Sequence, residues 1–129
     1  MKTFLILPMV LVLGCAASGP VGMSDAARDR LDRDLAGRTA GPPQSCVSNR
    51  DLRSSRFVGD SIVYRGPGSL LYLNRTSGGC NARAGRSLIT VNPTGNLCSG
   101  DIVRSVDPVS GTDWGSCTLG EFVPYRRDR

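Results

Sequence analysis

Histidine is absent from this chain of 129 residues, and lysine occurs once, at Lys2. Without an imidazole there is no Ser-His-Asp or Cys-His nucleophile, no histidine acid or base, and no histidine metal ligand. Beyond Lys2 no amine side chain remains for a Schiff base. Aromatic residues are few (one Trp, three Tyr, three Phe), and none interleaves with basic clusters as a nucleic-acid surface requires. A long apolar run is also missing. Phe4 to Leu13 interrupts itself with Pro8 and falls short of the roughly 20 apolar residues a membrane-spanning helix needs. The chemistry left is that of carboxylates, or none.

What is present at Met1 to Cys15 is a cationic residue, that short apolar run, and Val12-Leu13-Gly14-Cys15. This order reads as a bacterial export signal ending in a lipoprotein processing site. Leu13 is bulkier than the small residue usual there, and the rival reading is ordinary cleavage after Ala17. The expectation is a signal peptide over 1–14 and an acylated Cys15, whose several chains anchor more firmly than a single one. Ala16 after the cysteine resembles the class sorted to the outer membrane. From Cys15 onward fifteen arginines face eleven acids, a net charge of +4 that suits a solvated surface or contact with an anionic envelope component.

Residues 15–45 read as a lipid-anchored, charged, partly helical spacer. Ser24 or Asp25 caps a short helix that Gly37 stops, and Asp29–Arg33, Arg28–Asp32, Arg30–Asp34 and Asp34–Arg38 are four apart. Its apolar stripe (Ala27, Leu31, Leu35) is too thin to hold a helix alone. Residues 46–125 read as the folded domain and 126–129 as a basic tail. Short β-rich runs recur at Arg56–Tyr64, Leu70–Leu73, Leu88–Val91, Ile102–Val106 and Thr118–Val123, separated by turn residues such as Arg65-Gly66-Pro67-Gly68. The expected fold is mainly β: a small antiparallel barrel or rolled sheet of roughly five to six strands, stapled by disulfides. Leu71 with Leu73, Ile89 with Val91, and Ile102 with Val106 share the buried face by period two, and Tyr64 packs on Tyr72.

Cys46, Cys80, Cys98 and Cys117 have no metal-knuckle spacing and no histidine partner, so no metal or other cofactor is expected. In a small exported domain they should form two disulfides. Four cysteines allow three pairings. The nested one is the expectation here: Cys80–Cys98 around the Leu88 strand, and Cys46–Cys117 from domain start to last strand. Loop entropy assigns these about 3 and somewhat over 4 kcal/mol.

Arg53-Ser54 followed by Arg56, Tyr72-x-Asn74, Cys80, Leu97-Cys98-Ser99-Gly100-Asp101-Ile102, and Cys117-Thr118-Leu119-Gly120 with Phe122 and Pro124 form an ordered set. With it the domain resembles a family of small exported bacterial proteins that carry a domain of unknown function. The resemblance implies an envelope location and a compact, mostly β domain, with no catalytic residues to carry over.

The candidate interaction residues are Arg53, Arg56, Asp101 and Trp114. Arg50, Arg53 and Arg56 could clamp an anion or pair with Asp51, Asp60 or Asp101. Asp101 ends a Ser-Gly-Asp turn, and aspartate there usually accepts backbone hydrogen bonds. Trp114 falls in a loop, either as an interface residue or as a lid over Cys117. Asn74-Arg75-Thr76 matches a glycosylation sequon by chance. Asp60, Asp101, Asp113 and Glu121 are too few, in too small a domain, for a glycosidase cleft. The expected function is therefore non-enzymatic: a binding or structural module on the periplasmic face of the envelope, held to the membrane through Cys15. Its partner would be an envelope protein or anionic component, not nucleic acid. The alternatives are an inhibitor of an incoming lytic or proteolytic enzyme, presented on Asp107–Ser116, and a carboxylate-dependent hydrolase. Palmitate labelling tests the anchor: label should enter the wild type and vanish in Cys15→Ser, and a soluble form beginning at Ser18 refutes it.

Overall fold

The computed structural model describes residues 23–78, 80, 87–90 and 94–129. Helix α1 (Asp25–Leu35) is followed by β1 (Arg38–Ala40), β2 (Cys46–Ser48), β3 (Ser54–Val58), β4 (Ser61–Arg65), β5 (Leu71–Arg75), β6 (Ser77–Gly78), β7 (Ser87–Thr90), β8 (Asn96–Cys98), β9 (Ile102–Val106), β10 (Asp113–Thr118) and β11 (Phe122–Arg127). The strands form three antiparallel sheets: β1-β11-β5-β4-β3, β6-β10-β9-β7, and β2-β8. The mainly β, antiparallel, disulfide-linked character matches expectation. The barrel does not: the five-stranded sheet stays open, and the described residues hold eleven strands rather than five or six.

The reason lies in β4 and β5. Ser61–Tyr64 and Leu71–Asn74 are buried at every position, so both faces of this pair must be covered. On one face Ile62, Tyr64, Tyr72 and Phe122 pack against Val103, Cys117 and Leu119 and against Val47 and Leu97 of the two smaller sheets. Tyr64 and Tyr72 are direct cross-strand partners, and Phe122 meets both rings, at 5.7 and 6.3 Å between centroids. On the other face Val58, Val63, Leu71 and Leu73 receive Leu31 of α1, flanked by Met23, Ala27 and Leu35. The stretch expected as a loose spacer is therefore a structural layer. The Ser24 hydroxyl caps α1 by accepting from Ala27 N at 3.2 Å. Beyond the helix, β1 pairs with β11, which carries residues 126 and 127 of the expected basic tail as strand. Gly59 opens the two-residue β3–β4 turn with φ +63°, the conformation a primed hairpin turn needs. A Cβ there would stand 2.7 Å from Met23 Cγ, so helix and hairpin close on each other.

Two further expectations are corrected. On β9 it is Val103 and Ser105 that are fully buried, whereas Ile102 is 59% exposed; Ile89 on β7 is 46% exposed. Val103 lies opposite Cys117, and the Cys80–Cys117 bridge turns that face inward. Val91 lies outside the described residues. Thr118–Val123 is not one strand but the corner between β10 and β11. The disulfides are interleaved rather than nested: Cys46–Cys98 and Cys80–Cys117. Cys46 and Cys98 are direct register partners of β2 and β8, with Cα atoms 4.0 Å apart. Cysteines flanking β7 do not close on it, because β7 joins β9 while Cys98 belongs to the β2–β8 pair. Sequence separations of 52 and 37 correspond to about 4 kcal/mol each in the loop-entropy model.

The corner is held by Asn74, whose side chain is fully buried. Its Nδ2 donates to the Gly120 carbonyl and its Oδ1 accepts from Gly120 N, both at 2.8 Å. Only glycine fits opposite, since a Cβ at 120 would meet the Arg75 carbonyl oxygen at 2.4 Å. This commitment also removes Asn74 as a glycan acceptor. Asn74→Ala should lower stability by about 2–4 kcal/mol, because two bonds are lost and two main-chain groups are left unpaired. Denaturant unfolding of the oxidised protein measures it, and an unchanged midpoint would show that the clamp is dispensable.

Candidate functional site

Helix α1 is shorter than the sheet it covers, and beyond its C-terminal end the sheet face stays open. The pleat places Ser54 and Arg56 of β3, Val63 and Arg65 of β4, and Leu71 of β5 on that face, with Ser54, Arg65 and Leu71 in one cross-strand row. They line a cleft of about 420 Å³ with Asp34 from α1, Arg38 from β1 and Ser55. Val63 and Leu71 are buried hydrophobic residues of this lining, and the arginines bring its charge.

Three guanidiniums face one carboxylate. Asp34 Oδ2 lies 2.5 Å from Arg56 Nη2, and the Arg38 guanidinium donates to the Ser69 carbonyl. Arg65 has no ion-pair partner among the described residues. The lining thus keeps a surplus of two positive charges. Guanidinium forks bind carboxylate or phosphate through paired N–H donors, and the Ser54 hydroxyl adds a further donor.

A second cavity, about 230 Å³, is lined by Arg53, Tyr64, Leu88 and Leu97 among others. Ser54 and Ser55 line both cavities, so β3 runs between them. The Tyr64 hydroxyl is buried without a hydrogen-bond partner among the described residues. Burial pushes its phenol above the ordinary range, so it stays a neutral O–H at any physiological pH.

The four residues singled out from sequence are not brought together. Arg56 lies in the first cleft, paired with Asp34 rather than with Asp51, Asp60 or Asp101. Arg53 lines the second cavity, and its main-chain N donates to the Arg65 carbonyl at 2.9 Å. Asp101 builds a turn: its Oδ2 accepts from Cys98 N, and its carbonyl accepts from Leu119 N, each at 2.8 Å. Asp60 likewise serves its turn, accepting from Thr76 and Ser61 hydroxyls. Trp114 belongs to strand β10 rather than a loop and is 42% exposed. With Ile89, Ile102 and Val109 it makes up the large exposed apolar residues of the described chain, all on the four-stranded sheet or its β9–β10 loop. Cys15 lies outside the described residues. The sequence marks Asp34 and Arg38 only as charges four apart and Tyr64 only as a partner of Tyr72, and it does not mark Arg65; the fold alone assembles them into these cavities.

Among the described residues no group of three or more His, Cys, Asp or Glu side chains gathers as metal ligands, and no helix is long and apolar enough to cross a membrane. The chain matches no family model, no curated protein and no solved structure.

Beside Trp114, the Asp113 carboxylate is held below its usual range by hydrogen bonds from Arg104 and then from Gly115 N, the latter at 2.9 Å. A lowered folded-state pKa favours the charged form. Its contribution is therefore present at neutral pH and is lost as pH falls through that lowered value. Carboxyl NMR titration should find Asp113 below about 3.9, rising in Arg104→Ala. An unmoved titration in that variant would reject the assigned cause.

Proposed function

We propose that the chain is a non-catalytic binding module of the bacterial envelope, and that its arginine cleft holds a carboxylate or phosphate group of another envelope component. The observation that carries this reading is the convergence of Arg38, Arg56 and Arg65 beside the apolar Val63 and Leu71, against the single carboxylate of Asp34. Two disulfides suit an oxidising compartment outside the cytoplasm. The apolar leader with Cys15 supplies the lipid tether, and the ordered cysteine motifs resemble those of small exported bacterial proteins. Absence of catalysis is supported by the engaged acids. Asp60 and Asp101 serve turns, and Asp113 is held charged, the opposite of a general acid.

A second reading, inhibition of an incoming enzyme, draws on a separate face. Trp114 and the 95% exposed Val109 offer apolar area on the Asp107–Ser116 loop and the strand that leaves it, and Ile89 and Ile102 are exposed on the same four-stranded sheet.

Titration with inorganic pyrophosphate and with citrate, followed by amide chemical shifts, tests the first reading. Shifts should centre on Arg56, Arg65 and Ser54, weaken as salt rises, and fall about tenfold or more in affinity for Arg56→Ala/Arg65→Ala. Arg104→Ala, on the other sheet, should bind as the wild type does. If neither anion perturbs the cleft, the reading is wrong.

A further inference from the structure

The two cavities meet at the outermost strand of a sheet, and this placement says what shape of ligand they fit. Strand β3 ends the five-stranded sheet, and among the described residues no strand pairs on its outer side. Ser54, Ser55 and Arg56 are exposed and Phe57 is half-buried. Edge strands are usually blunted by a charge projecting across them. Arg56 could serve that purpose, but its guanidinium is drawn back onto Asp34 of α1.

We infer that the edge of β3 takes up an extended polypeptide strand in which acidic and apolar residues alternate. An added strand lies about 4.8 Å from β3 and sends successive side chains to opposite faces. Those on the helix side come to Arg56 and Arg65, at the β3 end of the cleft, where carboxylates are matched. Those on the other side come to the second cavity, where Leu52, Leu88 and Leu97 stand among Arg53, Asn49 and Thr90 and give a short apolar side chain a place to rest. Main-chain hydrogen bonds along Ser54 to Phe57 supply the remaining attraction. A lipid headgroup or free phosphate would satisfy the arginines but would leave the strand edge and the leucines of the second cavity unused. The inference deepens the anion-binding reading and rests on it.

Fluorescence anisotropy with the purified, oxidised protein tests it, using the labelled peptide Thr-Glu-Val-Glu-Val-Glu-Val-Thr with blocked ends. The alternating peptide should bind at least about tenfold more tightly than one of the same composition with its glutamates and valines in blocks. Strand addition uses every second peptide N–H. N-methylation of the three glutamates and N-methylation of the three valines should therefore differ, one set weakening binding about tenfold or more and the other leaving it nearly intact. Arg56→Ala/Arg65→Ala should lose the peptide while retaining the wild-type thermal midpoint within a few degrees.

Equal binding of the two methylated peptides overturns strand addition. It leaves the anion reading standing if the double variant still weakens both peptide and pyrophosphate. Pyrophosphate binding without peptide binding has the same consequence. Binding to phosphatidylglycerol vesicles that the peptide does not compete overturns the inference in favour of a membrane surface. If the double variant binds peptide and pyrophosphate as the wild type does, both readings fall.

Discussion

Burial of the β4–β5 pair on both of its faces is the constraint from which the rest of the architecture follows. An antiparallel hairpin with one solvated face alternates apolar and polar residues. Here Ile62, Val63 and Tyr64 lie beside Leu71, Tyr72 and Leu73, and each is withdrawn from water. Such a pair needs a layer on each side. The chain supplies them from both sides of the hairpin: α1 from before it, and the small disulfide-linked sheets from strands after it together with β2 from before it. A closed barrel would have left one face of the hairpin in water, which explains why the sheet stays open.

The layers are unequal in reach, and the candidate site is the difference. A helix of eleven residues spans about 16 Å, enough to cover Val58, Val63, Leu71 and Leu73 but not Arg65 and Ser54, which lie beside Leu71 in its cross-strand row. What is left uncovered carries guanidiniums rather than apolar side chains, so exposure costs little there. The partial coverage also holds the charge in place, because Asp34 at the helix end orients Arg56 without neutralising its neighbours. On the opposite face the smaller sheets leave room beside Tyr64, whose hydroxyl has no partner among the described residues. Structural incompleteness at β3 and the gathered charge share one origin.

Turn chemistry and buried polar contacts account for Asp101, which the sequence offers both as a turn residue and as an interaction candidate, and for Asn74, whose sequon is chance. Asp101 and Asn74 each attach a side chain to main-chain groups at the β8–β9 and β10–β11 corners. Leu119 and Gly120 link those corners through hydrogen bonds to Gly100, Asp101 and Asn74. The ordered motif around Leu97–Ile102 and Cys117–Gly120 is therefore one packed junction. Its residue types are explained by what the chain must do there to fold.

By itself, the sequence determined the β character, the β4–β5 hairpin, the helix with its Ser24 cap, the presence of two disulfides, and the exclusion of histidine and lysine chemistry. These follow from residue type and from spacings of two, three or four, which act locally along the chain. The tertiary structure alone decided that α1 is a core layer. Its apolar stripe is thin, and its partners Val58, Val63, Leu71 and Leu73 come from strands far along the chain. It alone decided the disulfide pairing, which depends on the adjacency of β2 to β8, and the inward turn of Val103 over Ile102, which depends on where Cys117 points. The arginine cleft was likewise illegible beyond Arg56. Arg38, Arg65 and Asp34 lie on three different elements; the spacing of Asp34 and Arg38 reads as a helical charge pair, and only the sheet register and the helix end place these charges in one space with Arg56.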